Sequence, residues 1–213
     1  MLEIDDIHKH LGGRSVLDGI HLTGAPGEVI VLTGGNGSGK TTLLRIVAGI
    51  IQPSRGRVRI CGCDIERDPV RARTQLGYVP DTLDAFPELL VSELIALVVA
   101  LKQSARGSVP RLDPLWRERL GVASIWGQRL RSLSFGQGKR VALLAALIGD
   151  PALLVLDEPS NGLDPSGVEL IRALIDERRR AGLLTLLSTN DAELEALLDG
   201  KNHHLAAGRL TSR

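Results

Sequence analysis

VIVLTGGNGSGKTTLLRIVAG, from Val29 to Gly49, decides how the rest of this chain reads. Val29 to Leu32 is an apolar run of strand length, and it breaks into GGNGSGKT, Gly34 to Thr41, which fits GxxxxGK[ST]. A strand feeding this loop gives the letters their meaning; inside a helix they would have none. Gly34, Gly35, Gly37 and Gly39 let the backbone adopt positive φ and approach closely, so that consecutive amides point at phosphate oxygens. Lys40 adds a movable positive charge and Thr41 a hydroxyl suited to magnesium. A helix expected over Thr41 to Ala48 aims its first amides and its dipole at the same anion.

A second stretch pairs with the first. Ala152 to Leu156 is continuously apolar, as a parallel strand covered on both faces should be, and it ends in Asp157 and Glu158. Carboxylates at the carboxyl end of such a strand lie where open α/β sheets bind ligands. Asp157 would hold magnesium through water, and Glu158 would be the general base that polarises an attacking water. Two solvated acids opening a loop would also suit Pro159 and Gly162, but not the apolar strand that delivers them.

The chain has 213 residues, enough for one α/β domain with a sizeable core and a small inserted lobe, but short of two full domains. Its net charge of +1 gives no electrostatic reason to expect nucleic acid or an anionic membrane as main partner. Aromatic residues make up 2%, which weakens any case for base stacking along a single strand. Leu94 to Leu101 is far short of the roughly 20 apolar residues that cross a bilayer. The acidic start, MLEIDDIHKH, is unlike a secretory signal. Cys61 and Cys63 lack a second pair or a histidine cluster, so both read as strand residues in a reducing compartment.

Residues 1 to about 30 read as short strands turning at Gly12-Gly13 and Gly24 to Gly27, and Val58 to Cys61 alternates like an antiparallel strand with one wet face. From Asp81 to about Ser132 the texture becomes helical. Ser92 is placed to cap a helix over Glu93 to Leu101, and Asp113-Pro114 to start another that Gly121 closes. Beyond Gly136, helices over Lys139–Ile148 and Val168–Ala181 alternate with strands ending at Asp157 and spanning Leu183–Ser188. The expected architecture is a P-loop NTPase core of α/β class with a mainly parallel sheet, an N-terminal antiparallel β subdomain and an inserted helical subdomain. Residues 1–80 and 136–213 would form the core and 81–135 the helical insert.

Phosphate loops and acidic strands occur in many enzymes, and a third motif narrows the choice. LSFGQ, Leu133 to Gln137, stands before the helix that leads to the acidic strand, and SNGLD, Ser160 to Asp164, follows that strand. In this order the chain resembles the nucleotide-binding subunit of ABC transporters over essentially its whole length. Taken by itself, LSFGQ also reads as a helix N-cap by Ser134. The resemblance implies a head-to-tail pair, homodimeric or with a related subunit, in which two ATPs with Mg2+ are sandwiched between each phosphate loop and the opposite signature, Leu133, Ser134, Phe135, Gly136 and Gln137. Gly34, Gly35, Asn36, Gly37, Ser38, Gly39, Lys40, Thr41 and Thr42 would bind ATP. Thr41 and Asp157 would serve the metal, Glu158 with Lys40 hydrolysis, and Asp164 communication across the seam. Separate transmembrane permease subunits would receive the helical lobe, placing the chain in the cytoplasm on the inner face of the membrane, and no nucleic acid is expected. The compact length is closer to bacterial exporters than to importers, by analogy alone.

Four positions depart from the family pattern. Asp81 replaces a glutamine that contacts magnesium and water; an acid can still reach the metal, which makes Asp81 a third metal candidate, but it is shorter and brings negative charge near phosphates. Asn190 replaces the switch histidine and cannot carry a proton, so transition-state stabilisation should weaken. Leu11 stands where an aromatic side chain would stack on adenine, and Phe135 replaces a signature glycine. Two functions follow. One is a transport-coupled ATPase; the other is a nucleotide-binding regulatory module with slow hydrolysis, which Asn190 motivates.

Overall fold

Two periodicities in the sequence build two sheets. The computed structural model describes residues 1–83, 86–110 and 113–212, leaving aside the side chains of 106 and 212. Leu2–Leu11 (β1) and Arg14–Gly24 (β2) alternate buried and exposed positions and pair antiparallel across the Gly12-Gly13 turn. They are longer than the short strands expected, at 10 and 11 residues, because register shifts along β1 let it bend without breaking. Arg55–Ile60 (β4) and Cys63–Asp64 (β5) complete this sheet in the order β2-β1-β4-β5. Cys61 is not a strand residue as expected: it turns at φ +50° between β4 and β5, and only Cys63 pairs.

The second sheet is built from apolar runs. Val29–Thr33 (β3), Leu153–Asp157 (β7) and Leu184–Ser188 (β8) are buried at all five positions each. With Leu76–Val79 (β6), Lys201–Ala206 (β9) and Arg209–Ser212 (β10) they form the order β10-β9-β3-β8-β7-β6, parallel except for β10. Alternate residues serve opposite cores. Ile30, Leu32, Leu153 and Val155 pack with Leu43, Ile46 and the first sheet, whereas Val31, Leu154 and Leu156 pack with Val141, Leu144, Ile171 and Ile175. Covering on both faces explains why these strands carry no polar alternation.

Helices fill the faces. Lys40–Val47 (α1) follows β3, and Pro69–Thr74 (α2) precedes β6. Between β6 and the last parallel strands lie Val91–Arg106 (α3), Pro114–Arg119 (α4) and two short 3-10 turns, Val122–Ile125 and Leu130–Ser132. Helix α3 differs from expectation at both ends. Ser92 falls inside its first turn; Leu90 is the cap, its amide donating to Glu93 Oε2 at 2.8 Å, and the helix continues past Leu101 to Gly107 at φ +71°. Asp113 does cap α4, accepting from the Leu115 amide at 2.9 Å. Phe135–Leu147 (α5) starts four residues before Lys139, with Ser134 as its N-cap, and Pro165–Arg180 (α6) and Ala192–Leu197 (α7) follow.

Candidate nucleotide site

The carboxyl ends of β3, β7 and β8 lie side by side, with Leu32 opposite Ser188 and Asp157 opposite Ser188. A cavity of about 290 Å³ opens there, lined on one wall by Asn36 to Thr42 and on the other by Asp81, Glu158, Asn161 and Asn190. The loop after β3 turns tightly. Gly34 sits at φ +143°, where an added Cβ would lie 2.3 Å from the Leu205 carbonyl oxygen, and Gly39 at φ +108° caps α1. Gly35 needs no such freedom, contrary to expectation: its φ is not positive and a Cβ there would meet open space.

Lys40, Asn190, Glu158 and Asn36 form one hydrogen-bonded group in the lining of this cavity. Lys40 is 6% exposed, and its Nζ donates to the Gly34 carbonyl at 2.7 Å and to Asn190 Oδ1 at 3.0 Å. Asn190 Nδ2 donates to Glu158 Oε1 at 2.9 Å and to Asn36 Oδ1 at 3.1 Å, and the Asn190 amide donates to Glu158 Oε2 at 3.0 Å. Lys40 Nζ and Glu158 Oε1 are 3.6 Å apart, so Asn190 bridges an ammonium and a carboxylate as a neutral donor and acceptor. Glu158 adopts the left-handed region at φ +45°, which costs a non-glycine residue about 1 kcal/mol or more. Its amide is held by Ser188, donating to the carbonyl at 3.2 Å and to Oγ at 3.1 Å.

A second cavity, about 470 Å³, shares none of these residues. Ser134 to Gln137, Arg140 and Gly162 to Asp164 line it. Ser134 Oγ accepts from the Gln137 amide at 3.3 Å while Gln137 Oε1 accepts from the Ser134 amide at 2.9 Å, a reciprocal cap that exposes the start of α5. Leu133 packs against the core behind it. Asp164 caps α6 through the Gly167 amide at 2.9 Å and lies 3.3 Å from Arg140. The Ser166 hydroxyl, the Gly167 amide and Arg140 together hold its carboxyl below the ordinary range.

The phosphate loop, the acid-ended strand and the capped signature helix thus stand in one chain in the order read from sequence, and a family model described as ABC transporter matches residues 17–161. The chain belongs to the ABC transporter family. Among relatives of this ATP-binding domain is a Nod factor export ATP-binding protein I of Paraburkholderia xenovorans, 34% identical over 192 residues; the match covers 90% of this chain and 63% of that protein. A zinc import ATP-binding protein ZnuC of Pseudomonas putida is 34% identical over 197 residues, covering 91% and 70%. A solved structure described as the ATP-binding subunit of an ABC transporter superposes with TM-score 0.87 at 25% identity, covering 100% of this chain and 89% of that one.

ABC proteins take ATP with magnesium, and the donors here suit a hard cation. Asp157 is 1% exposed; its Oδ1 accepts from Ser188 Oγ at 2.7 Å and Thr41 Oγ1 at 3.1 Å, while its Oδ2 is buried without a hydrogen-bond partner. A buried carboxylate oxygen left unpaired is costly, and oxygen donors of this type fit Mg2+. Asp81, the other metal candidate, has its Oδ1 engaged by Asn161 Nδ2 at 3.1 Å and by Lys139 Nζ at 3.5 Å.

Leu11 does not line the first cavity, and three residues not expected at the site either line it or touch its acid. Leu11 ends β1 and is 48% exposed; Val16, not Leu11, lines the cavity. Asn161 and Lys139 were missed with Val16. Lys139 is a lysine inside an apolar helix, 2% exposed, and its position four residues after Phe135 on α5 is the one sequence signal that could have found it. Burial pushes its ammonium's pKa down, against the pull of Asp81.

Proposed function

We propose that this chain is the ATP-binding and hydrolysing subunit of an ABC transporter, closing head-to-tail with a second copy or a related subunit around two Mg-ATP and driving translocation by a membrane partner. The observation that carries the reading is the separation of the two cavities: the Lys40–Glu158 site has no residue in common with the capped start of α5, so one chain offers two half-sites. Ser134 and the first amides of α5 would form an anion-binding end in a cavity that the chain's own phosphate loop does not line. Lys40 and the loop amides would bind the phosphates. Glu158 Oε would take a proton from water as the water oxygen bonds the γ-phosphorus and the bond to the β-phosphate oxygen breaks, leaving ADP and phosphate. Thr41 and Asp157 would hold magnesium, which when bound supplies charge neutralisation on the phosphate oxygens.

Residues 81–135 would be the lobe that docks on permease subunits at the cytoplasmic face of the membrane; no helix among the described residues is long and apolar enough to cross it. Export and import relatives match this chain at the same 34% identity, so direction of transport is assigned to the membrane partner. Steady-state phosphate release from the pure chain, compared with its Glu158→Gln variant, tests the reading. Turnover lost in the variant, with a closed dimer at saturating Mg-ATP, supports it; a variant that stays monomeric overturns the paired site. Asn190 favours the second reading, a regulatory module, and tight ATP binding without turnover in the unaltered chain would select it.

A further inference from the structure

Two departures from the family pattern, Asp81 and Phe135, meet on one buried cation. The side chain of Lys139 is 1% exposed, and its Nζ lies 3.1 Å from the Glu158 carbonyl, 3.2 Å from that of Pro80, 3.4 Å from that of Asp157 and 3.5 Å from Asp81 Oδ1. The Phe135 ring, one turn earlier on α5, lies 5.6 Å from the same nitrogen and covers Gly162, where an added Cβ would fall 2.1 Å from Phe135 Cδ1. A buried ammonium needs an anion as well as carbonyl dipoles. Asp81 provides it, and its 42% exposed side chain gives up little hydration to do so.

We propose that Lys139 is a positioning residue for Glu158: its ammonium fastens the carbonyls at the end of β7, including that of the left-handed Glu158, and Asp81 is its counter-charge instead of a magnesium ligand. The arrangement ties the signature helix to the acid of the same chain. Asp81 no longer adds net negative charge beside the phosphates, because Lys139 cancels it. A glutamine at 81, as the family has, would leave the ammonium facing carbonyl oxygens alone.

The inference rests on the hydrolytic reading above, and its test has two arms so that the two can fail separately. Lys139→Gln, Asp81→Gln and the double variant are compared in phosphate release and in thermal unfolding without nucleotide. Each single substitution should lower kcat by about 10- to 100-fold through a displaced Glu158, with KM for Mg-ATP changing by less than about threefold. The double variant, lacking both charges, should show the kcat of Lys139→Gln instead of the product of the two losses, and should recover most of the unfolding midpoint lost in Asp81→Gln. Losses that simply add in the double variant overturn the pair, and a raised KM with kcat intact overturns the positioning role. If the unaltered chain shows no turnover, the hydrolytic reading falls, while the unfolding cycle still decides whether Asp81 balances Lys139.

Discussion

Replacing Glu158 with glutamine separates its two possible uses, as a base and as an electrostatic anchor for Lys40. Loss of a general base costs about 10² to 10⁴ in rate, or about 2.7 to 5.5 kcal/mol of barrier. The anchor acts in the opposite direction on binding. Glu158 Oε1 is 3.6 Å from Lys40 Nζ with side chains 11% and 7% exposed, so at an effective dielectric constant of about 20 their attraction has a ceiling of about 4 to 5 kcal/mol. Removing it frees Lys40 for phosphate, so the affinity for Mg-ATP should hold or rise as kcat falls. The substitution also sets a donor against a donor. Glu158 accepts from both Asn190 Nδ2 and the Asn190 amide, and a glutamine can keep one of these bonds. Turning the Asn190 amide around would mend the clash but take Oδ1 away from Lys40. Stability should therefore fall by about 1 to 2 kcal/mol, a drop of about 2 to 8 °C in Tm for a chain of this length. Phosphate release, fluorescent-nucleotide binding and thermal unfolding measured together read all three effects. Turnover within about threefold of the unaltered chain would refute the base assignment.

Gly34→Ala should cost more than about 2 kcal/mol, since its Cβ would lie 2.3 Å from the Leu205 carbonyl oxygen at φ +143°, whereas Gly35→Ala should change stability by less than about 0.5 kcal/mol; chemical denaturation of the pair measures both. Ser134→Ala removes the cap of α5 and should cost about 1 kcal/mol in the same assay. Made in the Glu158→Gln background, it should also abolish ATP-dependent dimers in light scattering while nucleotide binding by the single chain persists. Asn190→His keeps one donor and one acceptor between Lys40 and Glu158 and adds a group that can carry a proton, so turnover should rise by about tenfold; no rise would show that Asn190 is not what limits the rate.

The parts legible in the sequence are those whose constraint is local. Val29 to Leu32 and Leu153 to Leu156 are apolar because sheet and helices cover both of their faces. The first sheet was legible in kind, though its strands run longer than the turn signals suggest, since β1 bends through register shifts that leave no glycine or proline behind. The start of α3 was misplaced because Glu93 reaching back to Leu90 does the capping that a serine was expected to do. Val16 and Asn161 could not be read, and Lys139 showed only its spacing from Phe135, because what matters in each is a partner far along the chain. Lys139 and Asp81 are 58 residues apart, and only the packing of α5 against β6 brings them together. Asn190 was read correctly as a departure, but its bridging of Lys40 and Glu158 depends on the adjacency of β3, β8 and β7.

Charge explains why the proposed site asks for a second chain. An incoming polyphosphate meets Lys40, but Lys40 is already matched by Glu158 at 3.6 Å, and Lys139 is matched by Asp81. Asp157 remains unmatched and buried, so this side of the cavity carries more carboxylates than ammonium groups. Magnesium beside Thr41 and Asp157 would remove that excess, yet it would leave the outer phosphate oxygens served only by Lys40, shared with Glu158, and by the amides of one loop and one eight-residue helix. The start of α5 offers the missing kind of donor: first-turn amides and the Ser134 hydroxyl, with Arg140, paired to Asp164 at 3.3 Å, lining the same cavity. Within one chain it lines a different cavity, so a second copy or a related subunit would have to bring it to the phosphates. On this account association and nucleotide binding share one electrostatic cause, and hydrolysis, which sheds the terminal phosphate, removes the group that both half-sites hold.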